Sequence, residues 1–225
     1  MEEPGRIGAI VLAAGASERM RYPKPLLIFG KQTAVDRVIT ISRAGGCDPV
    51  VVVLGSEADR VRANASLEAA IVVANDDWQS GRTGSLQAGL RALPADLEAF
   101  LLFPVDHAMV DPASVAAILA ARRSSGRPIV VPTHEGRRGH PVLFDASLVP
   151  EFLALGPSDP ARAVTNADPA RVLALEIEDA EILRNVDAPA DYYAALEVYS
   201  ARGGEAGFLA AKGSAGRAAP KRPPV

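Results

Sequence analysis

Short runs of β-branched and other apolar residues recur along the first 131 positions: Ile7 to Leu12, Val50 to Leu54, Ile71 to Ala74, Phe100 to Phe103 and Ile129 to Val131. None alternates apolar with polar residues, so each reads as a strand covered on both faces. The stretches between them carry helix punctuation. Thr33 precedes AVDRVITISRA and Gly45-Gly46 follows it; Asp111 and Pro112 open DPASVAAILAARR as an N-cap with proline in the first turn, and Gly126 closes that segment. Strands alternating with helices predict an α/β fold with a Rossmann-like, doubly wound, mostly parallel sheet.

After about residue 132 the rhythm changes. THEGRRGHPVLF reads as a glycine-containing turn feeding another strand, Pro160 to Ala167 as a short helix, Arg171 to Ile177 as a strand, and PADYYAALEVYS as a closing helix. The simplest arrangement is one antiparallel elaboration on an edge of the same sheet. No linker divides the chain, which predicts one domain over residues 1–200 followed by a flexible basic tail over 201–225, rich in Ala, Gly, Pro and Lys/Arg.

Composition sharpens this picture in two places. The net charge of −3 divides into +4 on residues 201–225, from five Lys/Arg and one acid, and −7 on the rest, from 19 Lys/Arg and 26 acids. An acidic body argues against a nucleic-acid partner held by phosphate neutralisation. Cys47, the single cysteine of the sequence, suits a reducing compartment and rules out a disulfide framework or a Cys-rich zinc site. The start MEEPGRIGAIVLAAG has two acids where a secretory signal would have Lys or Arg, and no apolar run approaches the ~18 residues that span a bilayer, so a cytoplasmic protein without membrane contact is expected.

Open α/β sheets bind ligands at the carboxyl ends of their strands. The first such loop, Ala13 to Pro25, offers small residues, Gly15, and two cations, Arg19 and Lys24. Free amides in such a loop can surround a phosphate oxygen, and a triphosphate is the ligand that calls for this arrangement. Neither GxxxxGK[ST] nor GxGxxG is present. Further along, SGRTGSLQAGL places glycines and a hydroxyl ahead of a helical run, where amides could hold a base edge or a phosphate. Asp106 follows the strand Phe100 to Phe103 and reads either as a turn residue or as a carboxylate for a hard cation. Asn185 and Asp187 read either as a helix cap or as a second site carboxylate. Trp78 is a loop anchor or a stacking surface, and His107 and His134 share no zinc spacing.

VLAAGASERMRYPK resembles the signature LAAGxSxRMxxPK of the MobA-like nucleotidyltransferases, which have the nucleotide-diphospho-sugar transferase fold. Four other segments, in the expected order over residues 7–199, are similar to the family's motifs: SGRTGSL, FPVDHAMVDP, GRRGHPVLF and NVDAPADYYAAL. One departure is Arg21-Tyr22, where the family usually has glycine after Arg-Met. The resemblance implies that Leu12, Ala13, Ala14, Gly15, Gly81 and Ser85 bind nucleotide and that Arg19 and Lys24 contact phosphates in catalysis. It further implies that Asp106 and Asp187 hold Mg²⁺ and that Gly139 and His140 line the acceptor side, with Arg137 or Arg138 near an anionic acceptor. The implied reaction moves a nucleoside monophosphate from a triphosphate to a phosphorylated acceptor with loss of pyrophosphate. The Leu-Ala-Ala-Gly form of the loop and the GHPVLF segment are most similar to molybdenum cofactor cytidylyltransferases, which implies CTP, molybdopterin and a molybdoenzyme that receives the product. A sugar phosphate acceptor, or a non-catalytic nucleotide-binding module, stays open on the residues alone.

Overall fold

The computed structural model describes residues 5–157 and 159–204. The tail expected from 201 onward therefore lies, from residue 205, outside the described residues. The chain opens with β1 (Ile7–Ala13), a small hairpin of β2 (Ile28–Phe29) and β3 (Gln32–Thr33), and α1 (Ala34–Ala44). There follow β4 (Val50–Leu54), α2 (Ala58–Asn64), β5 (Ile71–Ala74), α3 (Arg82–Ala92), β6 (Ala99–Pro104), α4 (Pro112–Ser125) and β7 (Ile129–His134). The remainder is β8 (Arg137–Arg138), β9 (Val142–Asp145), α5 (Val149–Ala154), α6 (Arg162–Ala167), β10 (Val172–Glu176) and α7 (Pro189–Ala201).

The helix punctuation works as its chemistry requires. Thr33 accepts the Asp36 N–H while Asp36 accepts the Thr33 N–H, a capping box that starts α1. Asp111 accepts the Ala113 N–H ahead of Pro112, and Gly126 ends α4 in a left-handed conformation that glycine adopts without steric cost.

The main sheet runs β10-β7-β9-β6-β1-β4-β5, with β8 paired to β7. β1 is parallel to both β4 and β6, and the register Leu12↔Pro104 and Ala13↔Leu54 brings three strand ends to one rim. The α/β class is as the alternation predicts, but the antiparallel strand is not peripheral. β9 is inserted between β6 and β7, antiparallel to each, and the edge strand β10 is parallel to β7. This follows from the apolar Val142 to Phe144, which are buried and need helices on both faces, whereas β10 is half exposed. The opposite edge also departs from the expectation of a strand covered on both faces. β5 ends the sheet, and Ile71 is 42% exposed.

Apolar side chains pack on both sides of the sheet. One core joins α1, α4 and α7 to one face through Val35, Val38, Ile118 and Ala195; the other joins α3 and α5 through Leu86, Leu90 and Phe152. Phe100, Phe144 and Phe152 pack ring to ring with centroids 4.9–5.7 Å apart. The interior thereby fixes the rim of strand ends on which the loops stand. Among the described residues, no helix is long and apolar enough to cross a membrane.

Candidate nucleotide and cation site

A cleft of about 410 Å³ opens on that rim. Its walls include the loop after β1, the first turn of α3, the end of β6 and Asp187. Ten of the twelve site residues expected from the sequence border it: Leu12, Ala13, Ala14, Gly15, Arg19, Lys24, Gly81, Ser85, Asp106 and Asp187. Gly139 and His140 do not border it. Gly139 sits under Ile182, where an added Cβ would lie 2.6 Å from the Ile182 carbonyl oxygen, and the His140 N–H donates to that same oxygen at 2.9 Å. The GRRGHP segment is thus pinned to the 3₁₀ turn at Ala180–Leu183, which holds it off the cleft wall. His140 reaches the site through His107, whose ring lies 4.8 Å away and whose Nε2 is 3.8 Å from Asp106 Oδ1.

The loop after β1 is built around Ser17. Its carbonyl accepts the N–H groups of Met20 and Arg21, and its hydroxyl accepts the Lys24 N–H at 3.0 Å. Among the described residues, the N–H groups of Gly15, Ala16, Ser17, Glu18 and Arg19 donate to no backbone carbonyl. They stand along the cleft as a row of free donors, which is the material of an anion site. An added Cβ at Gly15 would meet no protein atom within 4 Å, so packing does not require glycine there. Arg21, at the position where the family usually has glycine, adopts the left-handed φ of 53° that a glycine would take readily. The replacement keeps the loop's turn at a cost of strain. Tyr22 next to it lies under the Arg60 guanidinium, 5.0 Å from the ring centroid.

Across the cleft, Gly81 begins α3 at φ 124°, a backbone conformation suited to glycine, and an added Cβ would lie 3.0 Å from the Pro157 carbonyl oxygen. Ser85 is buried, and its hydroxyl accepts from Asn75 Nδ2 at 2.9 Å. Trp78 is half buried against the α3 side of the core and also borders the cleft. Arg82, in the first turn of α3, is a cation on this wall that the motif reading passed over.

At the base of the cleft two carboxylates face one ammonium. Lys24 Nζ contacts Asp106 Oδ2 at 3.3 Å and is ion-paired with Asp187 Oδ1, while Arg19 reaches Asp187 Oδ2 at 2.9 Å. Asn185 Nδ2 donates to that same oxygen at 2.8 Å. Burial would raise the Asp187 carboxyl, but the hydrogen bond and charge of Lys24, with Arg19 behind them, hold it below the usual carboxylate range. The capping alternative for Asp187 is settled by Asp191, whose carboxylate accepts the N–H groups of Asp187 and Ala188 at 3.0 and 2.8 Å. Asp191 does the helix-start work, and the Asp187 side chain is left to the cleft. Asp106 caps no helix either, and its Oδ1 is buried without a hydrogen-bond partner. Next to it, burial and then the His140 ring push the His107 imidazole down to about 4, so the ring is neutral at pH 7.

Divalent Mg²⁺ takes oxygen ligands and is commonly held by one or two carboxylates together with phosphates and waters. The residues present fit such an ion, since Asp106 and Asp187 already converge on one cation and the orphaned Asp106 Oδ1 offers a further ligand atom.

An open α/β sheet carrying a donor-lined anion cleft above two carboxylates defines a class of protein that handles phosphate esters. The sequence profile of the MobA-like NTP transferase domain matches residues 9–172, and the chain belongs to that family. Nicotine blue oxidoreductase of Paenarthrobacter nicotinovorans is 32% identical over 197 residues, covering 84% of this chain and 96% of the relative. Molybdenum cofactor cytidylyltransferase of Escherichia coli (strain K12) is 25% identical over 199 residues, covering 86% and 97%. Among solved structures, Rv0371c of Mycobacterium tuberculosis H37Rv superposes with a TM-score of 0.76 at 27% identity, covering 87% of this chain and 100% of that one. Its complex with manganese gives a TM-score of 0.69 at 26% identity, with 85% and 98% covered.

Proposed function

We propose that this protein is a cytoplasmic, Mg²⁺-dependent nucleotidyltransferase that moves CMP from CTP onto a phosphorylated acceptor, molybdopterin cofactor, and releases pyrophosphate. The observation that carries the reading is the placement of Lys24 between Asp106 and Asp187 at the foot of a cleft walled by free amides. Simple nucleotide binding does not call for two part-buried carboxylates facing the phosphate donors, which weighs against a non-catalytic module. The Leu-Ala-Ala-Gly loop and the full-length likeness to a molybdenum cofactor cytidylyltransferase support CTP and molybdopterin. Delivery of the product to a molybdoenzyme belongs to the same reading.

In this reaction an acceptor phosphate oxygen forms a bond to the α-phosphorus, and the bond from that phosphorus to the pyrophosphate oxygen breaks. A phosphate monoester has a second pKa of about 6 and is an ionised nucleophile at neutral pH, so no general base is needed. The amides of Gly15 to Arg19 hold the triphosphate, and Lys24 and Arg19 bear on its negative charge. Gly81 and Ser85 position the base from the α3 side. Asp106 and Asp187 would hold Mg²⁺, which would supply charge neutralisation on the phosphates. Of the two residues read from sequence as lining the acceptor side, His140 takes part by supporting His107 behind Asp106, whereas Gly139 packs against Ile182.

The name of the 32%-identical relative supports a second reading, an oxidoreductase on the same scaffold. Pyrophosphate release measured with each NTP against molybdopterin and a panel of sugar phosphates separates the readings. CTP with molybdopterin is expected to give the highest rate. Equal rates with GTP or ATP would remove the cytidylyl assignment, a sugar phosphate as best acceptor would replace molybdopterin, and acceptor reduction without pyrophosphate would favour the redox reading.

A further inference from the structure

We propose that Lys24 is the resident counter-ion of the Asp106–Asp187 pair before nucleotide binds and leaves it only when a triphosphate arrives to receive the ammonium, so that divalent cation and nucleotide load together. The inference rests on the reading of those two carboxylates as the cation site.

The charges at the foot of the cleft balance without any ligand: two carboxylates against Lys24 and Arg19. The four groups are unequal. The side chains of Lys24, Asp106 and Asp187 are 13%, 12% and 18% exposed, whereas Arg19 is 70% exposed and its charge is screened by water. Lys24 is therefore the strong partner of both acids. It stands where a cation shared by Asp106 and Asp187 must stand, and an ammonium and a divalent ion cannot occupy that place together.

Lys24 can leave without disturbing the fold. Its N–H is fixed to the Ser17 hydroxyl at 3.0 Å and its backbone starts a 3₁₀ turn, so the movement falls on the flexible four-carbon side chain. That side chain already borders the same cleft as the free amides of Gly15 to Arg19. A triphosphate on those amides would offer the ammonium a new anionic partner. Without one, a divalent ion must expel a part-buried ammonium from two carboxylates into water, and the exchange is unfavourable. Asp106 Oδ1 shows the other side of the balance. It is buried 3.8 Å from His107 Nε2 and has no hydrogen-bond partner, an oxygen the ammonium leaves unused and an oxygen-seeking cation can use. The coupling is reciprocal: whatever the triphosphate does for the cation's affinity, the cation does for the triphosphate's.

The test is the affinity for Mn²⁺ alone, read as free Mn²⁺ by electron paramagnetic resonance, in the wild type and in Lys24→Met, Lys24→Gln and Lys24→Arg. Lys24→Gln keeps a hydrogen-bonding group against the carboxylates should Lys24→Met fail to fold. The neutral variants are expected to bind Mn²⁺ at least about tenfold more tightly than the wild type, because a unit positive charge has left the site. Lys24→Arg is expected to bind as weakly as the wild type, and adding Asp106→Asn to Lys24→Met is expected to abolish the gain. Equal or weaker Mn²⁺ binding in both neutral variants would overturn the proposal. If the wild type nonetheless releases pyrophosphate from an NTP, the counter-ion role alone fails. If the gain is seen but the wild type releases none from any NTP, the nucleotidyltransferase reading fails and the exchange stands.

Discussion

Gly15 shows how a single residue separates what the fold needs from what a ligand needs. A methyl group there would touch no protein atom within 4 Å, and the residue is exposed on the cleft, so the fold tolerates alanine. A phosphate drawn against the loop amides would meet that methyl group. Gly15→Ala is expected to unfold within about 0.5 kcal/mol of the wild type, as surface substitutions commonly do, and to weaken nucleotide binding about tenfold or more. Denaturant unfolding and equilibrium titration with CTP check the two halves separately. Gly139 is the contrasting case, because any side chain there must displace Ile182, and its replacement is expected to act on stability first.

At the scale of elements, the start of α7 joins fold to site. Asp191 accepts the N–H groups of both Asp187 and Ala188, so the same carboxylate that begins the helix fixes the backbone from which Asp187 projects. Asp191→Ala is expected to cost about 1 kcal/mol in urea unfolding, as loss of a helix-start acceptor does, and to lower turnover as well, by letting Asp187 drift. Unchanged turnover with reduced stability would confine Asp191 to capping. The sequence made much of this level legible. Uniformly apolar runs marked β1, β4 and β6, and Thr33, Asp111, Pro112 and Gly126 marked the bounds of α1 and α4. The insertion of β9 between β6 and β7 was not legible, since Val142 to Phe144 look the same beside either neighbour and pairing is decided by long-range contact. The site divides the same way. Local motifs named the residues that border the cleft, whereas the tilted contact of the His140 and His107 rings and the sharing of Lys24 by two acids depend on segments that only folding brings together.

For the whole molecule, ties remote in sequence hold the layers in register. Asp179 accepts from the Asp111 N–H at 2.9 Å and the Ser114 hydroxyl at 3.1 Å, and pairs with Arg202 at 3.1 Å, fastening the start of α4 to the residue after α7. Arg122 of α4 is paired with Asp145 at the end of β9. Burial would raise the Asp145 carboxyl, but hydrogen bonds from Ser147 and Arg122 and the Arg122 charge bring it below the usual value. A carboxylate depressed in the folded state adds stability above its unfolded pKa of about 3.9 and loses it as pH falls through the lower folded value. The stability difference between wild type and Asp145→Asn is therefore expected to be largest at pH 5 and above and to shrink toward pH 3, as read from denaturant midpoints. A difference that holds constant down to pH 3 would show that the pair does not titrate in the folding equilibrium.

The proposed function assigns Lys24 and Asp106 to phosphate transfer at the foot of the cleft. It is tested most directly by pyrophosphate release from CTP with Mg²⁺ and molybdopterin, comparing wild type, Lys24→Ala and Asp106→Ala under identical conditions. Measurable release by the wild type and a loss of about 10²- to 10³-fold in each variant are expected, with circular dichroism and thermal unfolding showing that both remain folded. Near-normal release by either folded variant would contradict it.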